Sequence, residues 1–228
     1  MEARGLLHPF FSPFCVGCGY VGLYICPSCE KKLKTTKSPR CFYCRKKSLL
    51  GLTHPQCKKK YGVDGFVSTY EYNALFKRII HTVKYAGAYK VLEDLFRIPT
   101  PSIIEVFVRW NRLAPFVIQP VPLHAQKEKK RGFNQSDHIS RFCSYVTKQK
   151  ILSLLQRQKD TVSQASLKDV NKRRSNMSGA FLVSQTNLPK NVLLVDDVVT
   201  TGSTVKECTK TLKMGGVQTV FVMSLAQG

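Results

Sequence analysis

The stretch from Val192 to Thr204 constrains the fold of this chain more than any other part of the sequence. It begins with an unbroken apolar run, Val192 to Val195, which is typical of a strand buried on both faces of a parallel sheet. Two adjacent carboxylates, Asp196 and Asp197, follow, and then a loop of small and hydroxyl-bearing residues. A helix is predicted to begin near Ser203. This strand, loop and helix predict an α/β protein with a mostly parallel sheet.

The same stretch predicts a site for ribose 5-phosphate, because ligands of open α/β sheets bind beyond the carboxyl ends of the strands. Adjacent carboxylates can accept hydrogen bonds from the vicinal hydroxyls of a ribose. The loop offers N–H and hydroxyl groups to a phosphate, its glycine allows close approach, and the next helix points its positive end there. The residues assigned to the sugar phosphate are Val198, Val199, Thr200, Thr201, Gly202, Ser203 and Thr204. The alternative is a plain strand-to-helix turn with a capping aspartate.

This stretch resembles the PRPP-binding motif of type I phosphoribosyltransferases, where PRPP is 5-phosphoribosyl 1-pyrophosphate. The family pattern has four apolar residues, two acidic residues, two apolar residues and then Thr-Thr-Gly-Ser-Thr, and each position is met here. The resemblance implies that the loop holds the 5-phosphate and that Asp196 and Asp197 hold the ribose hydroxyls. It also implies Mg²⁺ bridging the sugar and the pyrophosphate. In a transferase, the two carboxylates would stabilise positive charge on the ribose in the transition state.

Residues 1–62 form a cysteine-rich segment with seven of the nine cysteines. Cysteines in a chain without a secretory leader favour metal binding in a reducing cytoplasm over disulfides. Pairs two residues apart suit zinc knuckles, and eight candidate ligands would fill two tetrahedral structural sites. The predicted ligands are Cys15, Cys18, Cys26, Cys29, Cys41, Cys44, His54 and Cys57. Sequential pairing gives a double zinc ribbon, and interleaved pairing is the alternative. For His54 the alternative is an exposed loop histidine.

The chain is strongly basic, with 36 basic and 14 acidic residues and a net charge of +22. Such a charge attracts polyanions such as nucleic acid, PRPP or an anionic membrane surface. A solvated basic surface is the alternative. Aromatic residues of the cysteine-rich segment, such as Phe14, Phe42 and Tyr43, either stack on bases or form the core and docking face of that segment. No apolar run is long enough to span a membrane.

Two domains are predicted, a zinc-ribbon-like module over residues 1–62 and a phosphoribosyltransferase-like domain over residues 63–228. Hydrophobic patterning and turn residues predict the elements of the second domain. Strands are expected at 67–72, 116–121, 180–183, 192–195 and 217–225. Helices are expected at 74–85, capped by Asn73, and at 89–96, 103–113, 134–148, 150–158 and 203–214.

A second set of motifs runs through the middle of the chain. It comprises Lys84-Tyr85-Ala86-Gly87, Pro120-Val121-Pro122-Leu123-His124, Arg131-Gly132-Phe133-Asn134-Gln135, Gln164, Lys172-Arg173-Arg174-Ser175-Asn176 and Gly179-Ala180-Phe181. Together with the paired cysteines and the final loop, these motifs resemble the ComF/GntX family over nearly the whole chain. The family joins an N-terminal zinc module to a phosphoribosyltransferase-like domain. The family more often has cysteine where this chain has His54.

The resemblance implies roles for two further segments. Residues 121–124, including Val121 and Pro122, match the loop that binds pyrophosphate, and residues 127–135 match a mobile loop that closes over the site. Arg131 is placed to neutralise the departing pyrophosphate. Its alternative is a surface charge in a basic loop.

The family also implies a function in natural transformation. The protein would handle single-stranded DNA entering the cytoplasm, near the inner membrane, with a competence helicase and other uptake proteins as partners. Two hypotheses stay open about chemistry. Either the site binds Mg²⁺-PRPP or a related sugar phosphate during DNA uptake, with or without turnover, or the protein is a salvage enzyme that transfers phosphoribose from PRPP to a nitrogenous base.

Overall fold

The computed structural model describes residues 12–85, 90–98, 100–158 and 179–228. In chain order the strands are β1 (Gly65–Glu71), β2 (Val117–Pro120), β3 (Leu155–Arg157), β4 (Phe181–Val183), β5 (Asn191–Val199) and β6 (Thr219–Gln227). The helices are α1 (Pro27–Glu30), α2 (Ala74–Tyr85), α3 (Lys90–Arg97), α4 (Pro101–Leu113), α5 (Ala125–Arg131), α6 (Gln135–Thr147) and α7 (Ser203–Met214). Short 3-10 turns lie at Leu49–Gly51 and Pro55–Cys57.

A four-stranded parallel sheet in the order β1-β6-β5-β2 forms the centre of the fold, which confirms the predicted α/β class. Alternate residues of β5 point into two different cores. Leu193 and Val195 pack on the side of α2, α3, α4 and α6, whereas Val192 and Leu194 pack on the side of α7 and the β3-β4 pair. The strand is therefore buried on both faces, which explains its unbroken apolar run.

β5 is longer than the prediction, which ended the strand at Val195. Its pairing with β6 continues through Asp196, opposite Ser224, to Val199, opposite Gln227. On the other side β2 ends with Pro120 opposite Val195. The acidic pair thus lies within β5 but beyond the end of β2, because only one of the two neighbouring strands continues.

Two local predictions in the middle of the chain are wrong. Residues 150–158 are extended instead of helical. The Ile118 N–H donates to the Lys150 carbonyl, and the Leu152 N–H donates to the Ile118 carbonyl, both at 2.8 Å along the edge of β2, and β3 then pairs with β4. Residues 127–135, predicted as a loop, contain most of α5. His124 caps the start of this helix, and Gly132, at φ +78°, ends it in the left-handed conformation.

Other predicted elements are confirmed with small shifts at their ends. The Asn73 side chain accepts a hydrogen bond of 2.8 Å from the Phe76 N–H and so caps α2, as its position predicted. α7 has the predicted bounds. In the described part of the chain no helix combines the length and the apolar character that crossing a membrane requires.

The cysteine-rich segment docks along the outer edge of β1. The Thr36 N–H donates to the Thr69 carbonyl, and the Glu71 N–H donates to the Lys34 carbonyl, both at 2.9 Å. Near the other end of β1 the Thr53 N–H donates 2.8 Å to the Asp64 carbonyl. These bonds cover backbone groups that an exposed edge strand would leave unpaired. The domain boundary at residue 62 stays a prediction.

Candidate functional site

The acidic pair lies near the carboxyl end of β5, and its side chains accept hydrogen bonds from the backbone. The Asp197 N–H donates 2.9 Å to Asp196 Oδ1, and the Val198 N–H donates 2.7 Å to Asp197 Oδ1. Asp197 is buried, with 8% of its surface exposed, whereas Asp196 is half-buried. Local backbone donors therefore fix both carboxylates in place at the carboxyl end of the sheet.

Lys84, from the last turn of α2, forms an ion pair with this carboxylate pair. Its Nζ lies 2.6 Å from Asp197 Oδ2, and a quarter of the lysine side chain is exposed. Burial alone would lower the pKa of Lys84, but attraction to Asp197 and Asp196 outweighs burial and raises that pKa. Sequence reasoning gave Lys84 no role, although it begins the Lys84-Tyr85-Ala86-Gly87 motif, which was the available signal.

The ionisation of Asp196 depends strongly on its surroundings. Burial raises its pKa, and the neighbouring negative charge of Asp197 raises it further. The positive charge of Lys84 and the hydrogen bond from the Asp197 N–H oppose this increase, and the resulting pKa is about 7. A carboxyl group with this pKa gains or loses its proton near neutral pH, and a bound cation would favour its ionised form.

The loop after β5 contains a left-handed glycine and leads directly into a helix. Gly202 adopts φ +71° at the start of α7, a left-handed conformation that favours glycine. The Thr201 and Ser203 hydroxyl oxygens lie 2.9 Å apart. Thr204 follows in the first turn of α7, a helix of 12 residues whose N-terminal N–H groups face the loop. The structure thus brings Thr200 to Thr204 together around one helix N-terminus, as predicted.

Residues of the cysteine-rich segment lie directly against this loop. A Cβ atom built on Gly202 would lie 2.7 Å from Phe42 Cζ. The Arg45 guanidinium donates 3.4 Å to the Thr200 carbonyl. From α7 itself, the Lys206 ammonium donates 3.1 Å to the Thr201 carbonyl. Phe42, for which docking was one of two hypotheses, is buried here. No local pattern in the sequence indicates that Arg45 reaches the loop.

The segment after β2 lies beside the acidic pair. The Val121 N–H donates 2.8 Å to the Val195 carbonyl, and the Asn134 side chain donates 3.1 Å to the Val121 carbonyl. Pro122 follows, half-buried. The structure therefore holds the predicted pyrophosphate loop against β5 with bonds to both β5 and α6.

Arg131 ends α5 at the same end of the sheet. Its guanidinium donates 3.3 Å to Gln135 Oε1 and lies 5.4 Å from the centre of the Tyr85 ring. Its positive charge also acts to lower the pKa of Lys84. Arg131 is thus near the acidic pair, on a short helix instead of on the predicted loop.

The eight predicted metal ligands form two groups with sequential pairing. In each group the candidate ligand atoms lie within 4.8 Å of one another. Zinc–sulfur bonds of about 2.3 Å in a tetrahedral site bring sulfur atoms to within roughly 4 Å, so both groups can hold a metal ion. Cluster 1 is Cys15, Cys18, Cys26 and Cys29, and cluster 2 is Cys41, Cys44, His54 and Cys57.

His54 takes part in cluster 2 through one ring nitrogen. Its Nδ1 lies 3.3 Å from Cys44 Sγ, whereas Nε2 lies 3.2 Å from the Lys47 carbonyl oxygen. A histidine that donates from one nitrogen to a carbonyl keeps the other nitrogen available as a metal ligand. The structure therefore supports His54 as the fourth member of cluster 2.

Within each cluster, one thiol has a lowered pKa and another has a raised pKa. Burial acts to raise the pKa of Cys15, but N–H groups of Cys26, Cys18 and Gly17 outweigh it and lower the pKa to about 6. Burial and neighbouring thiols raise the pKa of Cys29 to about 12. In cluster 2 the pKa of Cys41 falls to about 6 in the same way, and that of Cys57 rises to about 11. Each cluster thus crowds thiols that a cation would help to ionise.

The two clusters contact different parts of the fold. Cluster 1 packs on α2 and α3: a Cβ on Gly17 would meet both Cys29 and Leu75, and the Tyr24 N–H donates 3.2 Å to Asp94. Phe42 and Tyr43 lie between the cluster 2 ligands Cys41 and Cys44 in the sequence. The Tyr43 hydroxyl accepts a hydrogen bond of 2.9 Å from the Val63 N–H. Cluster 2 is therefore the one that supports the loop after β5.

Some predicted residues lie outside the part that the structure describes. These are Gln164 and Lys172-Arg173-Arg174-Ser175-Asn176 of the family motifs, and Ala86 and Gly87 of the lysine motif. Gly179 begins the next described stretch, and its N–H donates 2.8 Å to Glu207 Oε1 on α7.

Comparison with known proteins finds relatives over most of the chain, although no family model matches it. Competence protein F of Haemophilus influenzae is 30% identical over 209 residues, which cover 89% of this chain and 90% of that protein. Competence protein ComFC of Streptococcus pneumoniae is 27% identical over 207 residues, covering 91% of this chain and 82% of that protein. DNA utilization protein YhgH of Escherichia coli O157:H7 is 28% identical over 212 residues, covering 89% and 90%.

Proposed function

The chain belongs to the ComF family, and on this premise we propose that it acts in DNA uptake by binding Mg²⁺-PRPP, or a related ribose 5-phosphate, and single-stranded DNA. One observation carries the sugar-phosphate part of the proposal. The acidic pair Asp196 and Asp197, held by backbone N–H groups, directly precedes a left-handed glycine loop at a helix N-terminus. This arrangement offers acceptors for hydroxyls and donors for a phosphate within one turn of chain.

In the proposed complex the 5-phosphate lies on residues 200–204 and the ribose hydroxyls donate to the carboxylates. Val121 and Pro122, beside β5, face the pyrophosphate, and Arg131 neutralises part of its charge. Lys84 holds Asp197 in position from 2.6 Å away. If the site catalyses transfer, Asp196 and Asp197 stabilise positive charge that develops on the ribose when pyrophosphate departs.

Mg²⁺ fits the donor set of this site. It is a hard cation that binds one or two carboxylates together with substrate phosphates, and the two aspartates and PRPP supply those groups. When bound, the ion would help to neutralise the pyrophosphate. The neighbouring cation would also favour the ionised form of Asp196, whose pKa of about 7 otherwise leaves it partly protonated at neutral pH.

Zinc is the metal proposed for clusters 1 and 2. Four sulfurs, or three sulfurs and an imidazole, are the donors of structural zinc sites, which leave no position open for a substrate. The ions would hold a segment with few aliphatic residues in the fold that docks on β1. We assign them no part in chemistry.

The proposed DNA surface lies on the cysteine-rich segment, which is called the cysteine-rich module from here on. Its basic runs at Lys31-Lys32, Arg45-Lys46-Lys47 and Lys58-Lys59-Lys60 are exposed, and so are Phe14 and Tyr20, with 65% and 61% of their surfaces accessible. Cations that follow a phosphate backbone, together with exposed rings, are the usual means of binding single-stranded nucleic acid. The family further suggests action on the cytoplasmic side of the inner membrane with a competence helicase.

The deciding experiment is calorimetric titration of PRPP with Mg²⁺ into the wild-type protein and into an Asp196→Asn, Asp197→Asn variant. Binding to the wild type that disappears in the variant is the expected result. Glu105→Gln, which removes an exposed acid on α4, is the control and should bind as the wild type does. A folded, zinc-loaded wild type that does not bind PRPP would overturn the sugar-phosphate proposal.

Two further measurements separate the open hypotheses. Pyrophosphate release that a free purine or pyrimidine base stimulates would favour the salvage transferase. Salt-dependent binding of single-stranded DNA that persists in the double aspartate variant would place DNA on a surface other than the sugar-phosphate site. Loss of DNA binding in that variant would instead place the strand in the site itself.

A further inference from the structure

A cleft of about 320 Å³ lies between the cysteine-rich module and the carboxyl ends of β1 and β6. The module contributes Lys37, Arg40 and Arg45 to its lining, and the sheet contributes Glu71, Tyr72 and Gln227. Small-molecule pockets range from roughly 300 to 1,000 Å³, so the cleft has room for one compact ligand. The sugar-phosphate proposal gives the cleft no role, and Arg45 is the one cation of its lining that belongs to the basic runs of the proposed DNA surface.

We propose that this cleft is a nucleotide-binding site. Three cations face one carboxylate across it, which gives the lining a net positive charge and favours a phosphate group. The Tyr72 ring has 36% of its surface exposed and offers a flat face on which a base can stack. The Gln227 amide and the Glu71 carboxylate supply the donors and acceptors that a base edge needs.

The cleft exists because the module docks on the edge of β1. The Thr36 N–H bonds the Thr69 carbonyl, and the Thr36 and Ser68 hydroxyl oxygens lie 3.3 Å apart on its wall. Residues 37–45 then extend over the end of the strand and carry their cations to the same side as Tyr72. Neither the module nor the sheet could form this lining without the other.

The position of the cleft connects it to the proposed sugar-phosphate site. Arg45 lines the cleft and also donates to the Thr200 carbonyl. Gln227 is the β6 residue opposite Val199, and a Cβ on Gly228 would contact both Tyr72 and Thr200. The cleft is therefore on the β6 side of the loop, whereas β2 and the proposed pyrophosphate loop are on the other side.

That placement suggests what the nucleotide does, and this step rests on the proposed function. If transfer occurs, the bond between the ribose C1 and the pyrophosphate oxygen breaks on the β2 side, and pyrophosphate leaves with the bonding electrons. The acceptor then forms a new bond to C1 from the other side, which is the side of the cleft. The acceptor class would be a nucleotide, either free or at the end of a DNA strand, whose attacking nitrogen or hydroxyl releases its proton to water. Both sources share the same phosphate and base chemistry.

The experiment compares two charge-matched variants in calorimetric titrations with thymidine 5′-monophosphate. Lys37→Ala, Arg40→Ala removes two exposed cations of the cleft, and Lys77→Ala, Arg78→Ala removes two exposed cations of α2 outside it. The cleft variant is expected to bind at least about tenfold more weakly than the wild type. The control should stay within about twofold, because screening limits the effect of distant surface charges. Equal weakening in both variants, or none in the cleft variant, would overturn the proposal.

Tyr72→Leu tests the base half of the site. It should weaken binding of thymidine 5′-monophosphate and leave binding of inorganic phosphate unchanged, because only the nucleotide can stack on the ring. An unchanged nucleotide affinity in this variant contradicts the proposed site. A 5′-phosphorylated thymidine pentanucleotide identifies the source: cleft-dependent binding tighter than that of the monophosphate indicates a strand end, and equal binding indicates a free nucleotide.

PRPP titrations separate this inference from the proposed function. The Asp196→Asn, Asp197→Asn variant should lose PRPP and keep the monophosphate, while the Lys37→Ala, Arg40→Ala variant should do the reverse. Cleft-dependent nucleotide binding without PRPP binding would leave the nucleotide site standing and remove its role as an acceptor site. PRPP binding without nucleotide binding would overturn the nucleotide site alone.

Discussion

The ring of Phe42 lies where residue 202 would carry its side chain: a Cβ on Gly202 would be 2.7 Å from Phe42 Cζ. Phe42 sits between two ligands of cluster 2, and Gly202 begins the helix that faces the proposed phosphate. A cluster that could hold a metal ion and the loop proposed to bind a phosphate are far apart in the sequence, and they share one packing contact. The structure of the loop depends on the cysteine-rich module.

Gly202→Ala is expected to destabilise the protein by roughly 2–5 kcal/mol and to abolish PRPP binding. The substitution combines a left-handed φ, which costs about 1–2 kcal/mol in a residue with a Cβ, with overpacking against Phe42, which costs about 1–3 kcal/mol. The measurement is denaturant unfolding together with PRPP titration.

Gly132→Ala is the matched control for Gly202→Ala. Gly132 has a similar φ of +78°, but a Cβ there has nothing within 4 Å. The difference between the two variants isolates the contact with Phe42. Equal destabilisation of both proteins would show that this contact carries no strain.

Loss of cluster 2 should weaken PRPP binding more than loss of cluster 1. Cys57→Ser and Cys18→Ser each remove one accessible ligand, so each protein should lose one of two zinc ions in elemental analysis. Only Cys57→Ser loosens the segment that holds Phe42 and Arg45 against the loop. A larger loss of PRPP affinity in Cys18→Ser would contradict this coupling.

Lys84→Met should reduce the free energy of unfolding by roughly 1–3 kcal/mol, because it leaves a buried carboxylate of Asp197 without its cation. It should also raise the pKa of Asp196 further, because the positive charge of Lys84 lowers that pKa in the wild-type protein. Lys84→Arg keeps the charge and should restore part of the loss. Lys77→Met, an exposed lysine on the same helix, is the control for hydrophobic substitution.

PRPP binding should weaken as the pH falls below about 7. Burial and the charge of Asp197 raise the pKa of Asp196 to about 7, so at lower pH this carboxyl carries a proton and no longer offers an ionised acceptor. Titration of PRPP between pH 6 and 8, corrected for ionisation of the ligand itself, measures the effect. An affinity that does not change with pH after this correction would show that Asp196 is already ionised at pH 6.

Asp196→Asn should stabilise the protein at pH 8 while removing PRPP binding. The pKa of Asp196 rises from 3.8 to about 7 on folding, so the native state binds more protons than the unfolded state between these values. Stability therefore falls as the pH rises through this range, and asparagine avoids that loss. Thermal unfolding should show a higher Tm for the variant at pH 8, by about 2–4 °C per kcal/mol, and little difference at pH 4.

The sequence by itself determined the features whose causes are local. Paired cysteines two residues apart predicted both groups of candidate metal ligands, and the apolar run with two aspartates predicted a buried strand followed by a loop and a helix. The cap at Asn73 and the helix over residues 203–214 follow from signals within a single turn of chain. Each of these features depends on residues that are neighbours in the sequence, so it can be predicted without knowledge of the fold.

Tertiary structure decided the features that depend on distant partners. Residues 150–158 are extended because the free edge of β2 accepts Ile151 and Leu152, although a short apolar run is equally compatible with a helix. β5 continues through the acidic pair because β6 continues beside it.

The contacts that complete the site are decided in the same way. Lys84 meets Asp197, and Phe42 meets Gly202, only when α2 and the cysteine-rich module pack on the sheet. No local pattern encodes such contacts, because each depends on which surfaces the folded chain brings together. The sequence specifies the chemical groups of this protein, and the packing of the module on the sheet determines which groups act together.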